Sequence, residues 1–238
     1  MLLKFISVIG SGDAESVKIY TILLPLYLIA ILFSLSVHET AHGFTASLCG
    51  DPTAKNLGRL TLNPLKHIDV TGFLCMLLAG FGWAKPVPIT TRNLKKPRRD
   101  IAIVSLAGPV SNLIIALIFA IIYRFSYSFI YKIAVDCLIS ESSEFIYYLC
   151  FAAVQFIIIV VQMNITLAVF NLIPIPPLDG SKILYTFLSP KFYFKIAPYE
   201  RYISLGFMLL LILGVIDPVL SFVTNEITNL LFKLVGAV

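Results

Sequence analysis

The sequence predicts an all-α polytopic membrane protein of about four to six transmembrane helices, with a small membrane-associated β-hairpin and a re-entrant segment. Three observations carry that reading. The chain is 58% apolar with mean hydropathy +0.92 and only 13% charged residues, about half the charge of a soluble domain. Several apolar stretches approach or exceed the roughly 20 residues that cross a bilayer as a helix. The basic residues gather in two loops, so the net charge of +5 reflects a positive-inside bias rather than a nucleic-acid surface. No segment is long and polar enough for a separate soluble domain. Residues 1–238 therefore read as one integral-membrane domain: a surface segment over 1–19, a core over about 20–188, and one or more C-terminal helices over 202–238.

Taken in order, "MLLKFISVIGSGDAESVKIY" has a short apolar run followed by acidic residues, which suits a surface segment better than a signal peptide. The first span is expected over about 20–49, where Gly50, Asp51 and Pro52 break it. Next, Arg59, Leu60, Thr61 and Leu62 alternate between turn residues, so a strand or hairpin is expected there. Residues 71–83 are apolar but too short to cross, which predicts a re-entrant or interfacial segment. The loop "AKPVPITTRNLKKPRRD" is polar and punctuated by proline. A second span is expected over about 101–125 and a third over about 145–172, the latter ending at "NLIPIPPLDG", whose prolines force a turning backbone. A fourth is expected over about 202–216, followed by a kinked extension or a separate helix. The four cysteines, Cys49, Cys75, Cys137 and Cys150, lack paired spacing and read as small apolar residues.

Charge orients these spans. Residues 50–100 hold nine Lys/Arg against three Asp/Glu, whereas residues 124–144 hold two against three. The loop over 179–201 is basic again, with Lys182, Lys191, Lys195 and Arg201. Both basic loops are expected on the cytoplasmic side, and with them the C-terminal end of the first helix.

That end carries the chemistry. Of the three histidines in the chain, two flank a glutamate in "SLSVHETAHGFTAS". His38 and His42, four residues apart, project from one face of a helix about one turn apart. Two imidazoles so placed can share one cation, and Glu39 can reach a water on it without being a ligand; zinc suits imidazole better than calcium or magnesium do. Buried ionisable groups in a membrane helix are costly unless compensated, and a metal compensates all three. A third ligand is still needed. Asp179 follows the proline segment at the matching depth, although it suits an N-cap equally well. His67 is the other candidate, with the alternative of holding its loop together. In the second span Gly108 permits close helix approach and Asn112 offers an amide, for the site or for helix packing. Asn171, just before the prolines, is similar.

The residues "HETAH", "AGPVSN" and "NLIPIPPLDG", in that order, resemble the site-2 protease family of intramembrane zinc metalloproteases, peptidase family M50. "GDPTAKNLGRLTLNPLKHID" and "GWAKPVP" resemble its compact bacterial branch, which lacks a PDZ or CBS domain. The resemblance covers about residues 25–188. It implies that His38, His42 and Asp179 ligate one zinc ion and that Glu39 activates water. It further implies that Asn171 contacts the substrate or steadies the transition state, that Asn112 packs near the site, and that the Arg59, Leu60, Thr61, Leu62 strand pairs with unwound substrate. The expected function is hydrolysis of peptide bonds in or near transmembrane segments of single-span membrane proteins. The expected location is the bacterial cell membrane, with the site toward the cytoplasm. A transition-metal transporter is the alternative, but it needs further donors along several spans, and the second and fourth lack them. A catalytically silent relative that only binds membrane proteins is a third reading, against which intact Glu39 argues. A membrane desaturase is excluded by its need for many histidines.

Overall fold

Asp13 starts the first long helix by accepting the Glu15 N–H, the standard way to satisfy an orphan donor at a helix N-terminus. The computed structural model describes residues 2–79, 82–140 and 143–237. After a short helix α1 (Leu2–Ser11), α2 runs over Ala14–Leu48, about 52 Å long at 1.5 Å per residue. A one-turn helix α3 (Thr53–Asn56) and a 3₁₀ turn at Pro64–Lys66 lead to α4 (Val70–Ala79). Then come the two longest partners of α2: α5 (Pro97–Ile139) and α6 (Glu144–Leu172). The chain closes with α7 (Asp179–Phe187), α8 (Pro190–Ile196), α9 (Glu200–Ile212) and α10 (Asp217–Leu234).

Contacts at the two ends fix the direction of the three long helices. At one end Lys18 of α2 pairs with Glu144 of α6 at 2.9 Å. At the other the Lys95 N–H, just before α5, donates to Cys49 O, just after α2, at 3.1 Å. Helices α2 and α6 therefore run parallel, with α5 antiparallel between them. Between α5 and α6, Ala116 and Ala120 meet Val161 and Ile165, all fully buried. Small residues of this kind let helix backbones approach closely where the surrounding solvent is hydrocarbon. A second cluster joins α2 to α6 through Ala30, Ile159 and Val160, with Phe33, Phe119 and Phe156 against it.

Three described helices are long and apolar enough to cross a membrane: α2, α5 and α6. The count rises to four if residues 191–212 and 217–234, bent by 79° at a short break, form one span. The upper part of the expected range of four to six is thus not reached. The second span is much longer than expected because its polar tail stays helical. Tyr123, Tyr127 and Tyr131 stack at four-residue intervals, with centroids 5.0 and 5.7 Å apart. Helix α4 spans only ten residues, too short to cross; Gly80 and Phe81 of the expected re-entrant segment lie outside the described residues.

The expected hairpin is corrected. Among the described residues no strand forms, and Arg59, Leu60, Thr61 and Leu62 are irregular. Several of their polar groups find partners elsewhere. The Thr61 carbonyl accepts from Thr40 Oγ1 and from the His67 ring, both at 2.7 Å, and the Arg59 guanidinium donates to Lys85 O and Pro86 O. Among the described residues, pairing is limited to one isolated antiparallel bridge, Ile68 with Ala84.

Candidate metal centre

His38, Glu39 and His42 lie in the last three turns of α2, where it meets the N-terminal part of α5. Pro109 removes one backbone bond from α5 in this region, and next to it Gly108 brings the two backbones together. A Cβ on Gly108 would lie 2.5 Å from His42 Nε2 and 2.6 Å from His38 Nε2, so no larger residue fits against the two rings. The third member arrives from far along the chain. After α6 the backbone turns through Pro174, Pro176 and Pro177, with Leu178 N–H donating to Ile175 O, and α7 begins at Asp179. Gly180 is required because a Cβ there would collide with the carbonyl oxygens of Leu172 and Ile173. Asp179 does not cap α7; its carboxylate points at the histidines.

The three side chains are buried, at 3%, 6% and 6% exposure for His38, His42 and Asp179. Their closest atoms form a nearly equilateral triangle. His38 Nε2 to His42 Nε2 is 3.0 Å, His42 Nε2 to Asp179 Oδ2 is 2.9 Å, and His38 Nε2 to Asp179 Oδ2 is 3.2 Å. The other ring nitrogens settle what those atoms are. His42 Nδ1 is 2.7 Å from Val104 O, a carbonyl that can only accept, so this nitrogen carries the proton. His38 Nδ1 is 2.7 Å from Asn112 Oδ1, and the orientation of that amide is itself fixed. Asn112 Nδ2 donates to Asn164 Oδ1 at 2.8 Å, and Asn164 Nδ2 donates to Val160 O at 2.8 Å. The relay starts at an obligate acceptor, so each amide has one allowed orientation and His38 also carries its proton on Nδ1.

In neutral imidazoles both Nε2 atoms are then lone-pair acceptors, and they face a carboxylate oxygen. One proton bridges at most two of three acceptors; one cation satisfies all three. Tetrahedral zinc with ligand bonds of ~2.0–2.1 Å separates its ligands by roughly 3.3 Å, close to the observed triangle, and two imidazoles with a carboxylate are a catalytic zinc donor set. Second-shell partners on each Nδ1 are what orient metal-binding histidines. The remaining oxygen, Asp179 Oδ1, accepts from Lys182 Nζ at 2.9 Å.

Glu39 is partly buried, and its Oε2 accepts the Val87 N–H at 2.8 Å. The segment that supplies this N–H is anchored beyond it by Asp51, which accepts from Thr90 N–H at 2.6 Å and from Asn93 Nδ2 at 2.9 Å. Burial would raise Asp51, but hydrogen bonds from Thr53, Asn93 and the Thr90 backbone overcome it and keep its carboxylate below the usual range. The remaining expected residues fall differently. Asn112 is fully buried and joins the centre through His38. Asn171 does not join it: its Nδ2 donates to Leu167 O of its own helix at 2.9 Å. His67 is buried outside the triad, its Nε2 donating to Thr61 O. Asn164 is the residue that sequence reading missed; α6 also holds Gln155, Gln162 and Asn171, and no local signal sets Asn164 apart from them.

The comparisons with known proteins agree with this geometry. The family model for peptidase family M50 matches residues 26–214, most of the chain, and the chain belongs to that family. It is 40% identical over 207 residues to the protein named "Putative zinc metalloprotease YwhC" of Bacillus subtilis, covering 87% of each. It is 32% identical over 189 residues to a Rip2 protein of Mycobacterium tuberculosis and 29% identical over 195 residues to one of Mycolicibacterium smegmatis, both carrying the same zinc metalloprotease description. The match spans 64% and 66% of those two longer relatives. No solved structure matches the chain significantly. With its membrane-length helices, this family member is an integral membrane protein.

Proposed function

We propose that the chain is an intramembrane zinc endopeptidase that hydrolyses peptide bonds in or near transmembrane segments of other membrane proteins. The observation that carries this reading is the buried triangle of acceptors beside Glu39, at the end of a membrane-length helix. Family membership and the zinc metalloprotease names of the relatives support it. His38, His42 and Asp179 would hold the ion. When bound, zinc supplies Lewis acidity, which acidifies water and polarises a carbonyl.

The protein's own groups do the rest. Glu39, fixed through Oε2 by the Val87 N–H, accepts the proton of the attacking water and returns it to the leaving amine. Asn112 and Asn164 hold His38 in the tautomer that leaves Nε2 bare. Lys182 keeps the outer oxygen of Asp179 occupied, so that Oδ2 faces the histidines. Amides in an intact helix are paired and shielded, so the substrate must unwind locally before its carbonyl can reach the site. The basic residues Arg92, Lys95, Lys96, Arg98 and Arg99 precede or begin α5 at the end of the bundle that carries the triad. This supports a site near the cytoplasmic face of a bacterial cell membrane. Transport of a metal is disfavoured because His38, His42 and Asp179 are the one cluster of three such donors among the described residues.

Purified protein in liposomes with a single-span substrate tests the reading. Cleavage is expected within or next to the substrate's transmembrane segment, stopped by 1,10-phenanthroline and restored by zinc. A substrate left intact by zinc-loaded protein, or cut equally well with chelator present, overturns it.

A further inference from the structure

A cavity of about 660 Å³ lies between residues 87–91, the start of α5, α7 and α8, within the size range of ligand sites. We propose that it takes the stretch of substrate on the basic-loop side of the cut, and that it selects single-span proteins with an aspartate or glutamate about three to five residues from the scissile bond. The inference rests on the protease reading above and names its substrate class.

Position comes first. Three residues of the wall each hold one member of the site by a hydrogen bond. The Val87 N–H donates to Glu39, the Val104 carbonyl accepts from His42, and the Lys182 ammonium donates to Asp179. From there the wall follows α5 through Ile101 to Arg98. Arg98 precedes Val104 by six residues and Gly108, which lies against both imidazoles, by ten. At 1.5 Å per residue it stands about 9–15 Å along the helix from their level. An extended peptide covers that distance in about three to five residues at ~3.3 Å each.

Charge sets what the cavity accepts. Among the described residues its wall has two charged members, Arg98 and Lys182; the other polar ones carry hydroxyls, Tyr185 and Tyr193 included, and the rest are apolar. Arg98 is exposed and has no hydrogen-bond or ion-pair partner among the described residues, because the nearby Asp100 carboxylate is taken by Arg99 and by the Lys96 N–H. Lys182 gives one of its three donors to Asp179, and its side chain is half-exposed. Glu200 interacts with Tyr185 but is not part of the wall. A substrate carboxylate therefore meets two cations and no competing acid in the wall, and charge-assisted hydrogen bonds are the strong ones. A lysine or arginine at the same place meets like charge. Cytoplasmic flanks of membrane spans are generally rich in Lys and Arg. In the topology proposed above, the cavity thus separates substrates from the bulk of membrane proteins.

The test uses purified protein in liposomes of zwitterionic lipid and a single-span substrate whose cleavage point is mapped by mass spectrometry. Positions within about six residues of that point, on either side, are changed in turn to Glu, Gln and Lys. At one position wild type should cleave the Glu form about tenfold or more faster in kcat/KM than the Lys form, with the Gln form between them. The catalytically impaired Glu39→Gln protein should bind the three forms in the same order of affinity. Arg98→Glu should lower the Glu/Lys ratio about tenfold or more. Its zinc content should stay that of wild type, and it should cleave the Gln form within about twofold of the wild-type rate. If Arg98→Glu does not fold, Arg98→Gln provides the second arm, with the Glu/Lys ratio falling about threefold. Equal cleavage of the three forms at every position, or a preference that Arg98→Glu leaves unchanged, overturns the proposal and leaves the protease reading standing. So does a loss in Arg98→Glu that is equal for all three forms and confined to liposomes with added anionic lipid, which would make the cavity a lipid headgroup site. Failure of wild type to cleave any form overturns the protease reading itself.

Discussion

Gly108→Ala is expected to strip the protein of zinc, from about one ion per chain to below roughly 0.1, as read by metal analysis of purified protein. The added Cβ would lie 2.5 Å from both His38 Cε1 and His42 Nε2, well inside any carbon contact. The rings cannot retreat without loss. His38 is tied by Nδ1 to Asn112 and His42 to Val104 O, and both partners sit on α5, the helix that would push. Either those two bonds break or α2 and α5 separate, and each outcome scatters the donor triangle. Alanine favours a helix over glycine by about 1 kcal/mol, so α5 itself is not weakened and helicity by circular dichroism should be unchanged. Full zinc content in Gly108→Ala would mean that α5 does not lie against the donors.

Glu39→Gln should lower kcat/KM on a single-span substrate by on the order of 10²–10⁴, the usual contribution of a general base, with zinc retained. Glutamine has the same shape and keeps an amide oxygen to accept the Val87 N–H, so the fold and the ligand triangle are untouched. Only the capacity to take a proton is lost. Wild-type turnover in this variant would remove Glu39 from the mechanism, whatever the metal content.

The parts of this arrangement that could be read in advance are those in which neighbours in sequence are neighbours in space. The third span was expected over about 145–172 and runs over Glu144–Leu172, because a mostly apolar run with no charged residue after Glu144 lies between Ser143 and the prolines. His38, Glu39 and His42 were legible because their spacing on one helix is itself the chemistry. Asp179 was ambiguous from its position alone and was favoured only by resemblance, because it meets His42 across 137 residues of chain. Asn164 was illegible: it acts two hydrogen bonds away from His38, through Asn112, and nothing local marks it. The hairpin failed because alternation at Arg59, Leu60, Thr61 and Leu62 says nothing about what takes up the backbone. Thr40 and His67 occupy the Thr61 carbonyl, which a partner strand would have needed.

The central claim is that two imidazoles and one distant carboxylate form a single metal site. Its most direct test is the zinc content of purified wild type and Asp179→Ala after identical dialysis against a weak chelator. The account predicts about one zinc per wild-type chain and near-complete loss in the variant, because three protein ligands complete a catalytic zinc site and two do not. Wild type without zinc, or Asp179→Ala retaining it in full, would contradict the account.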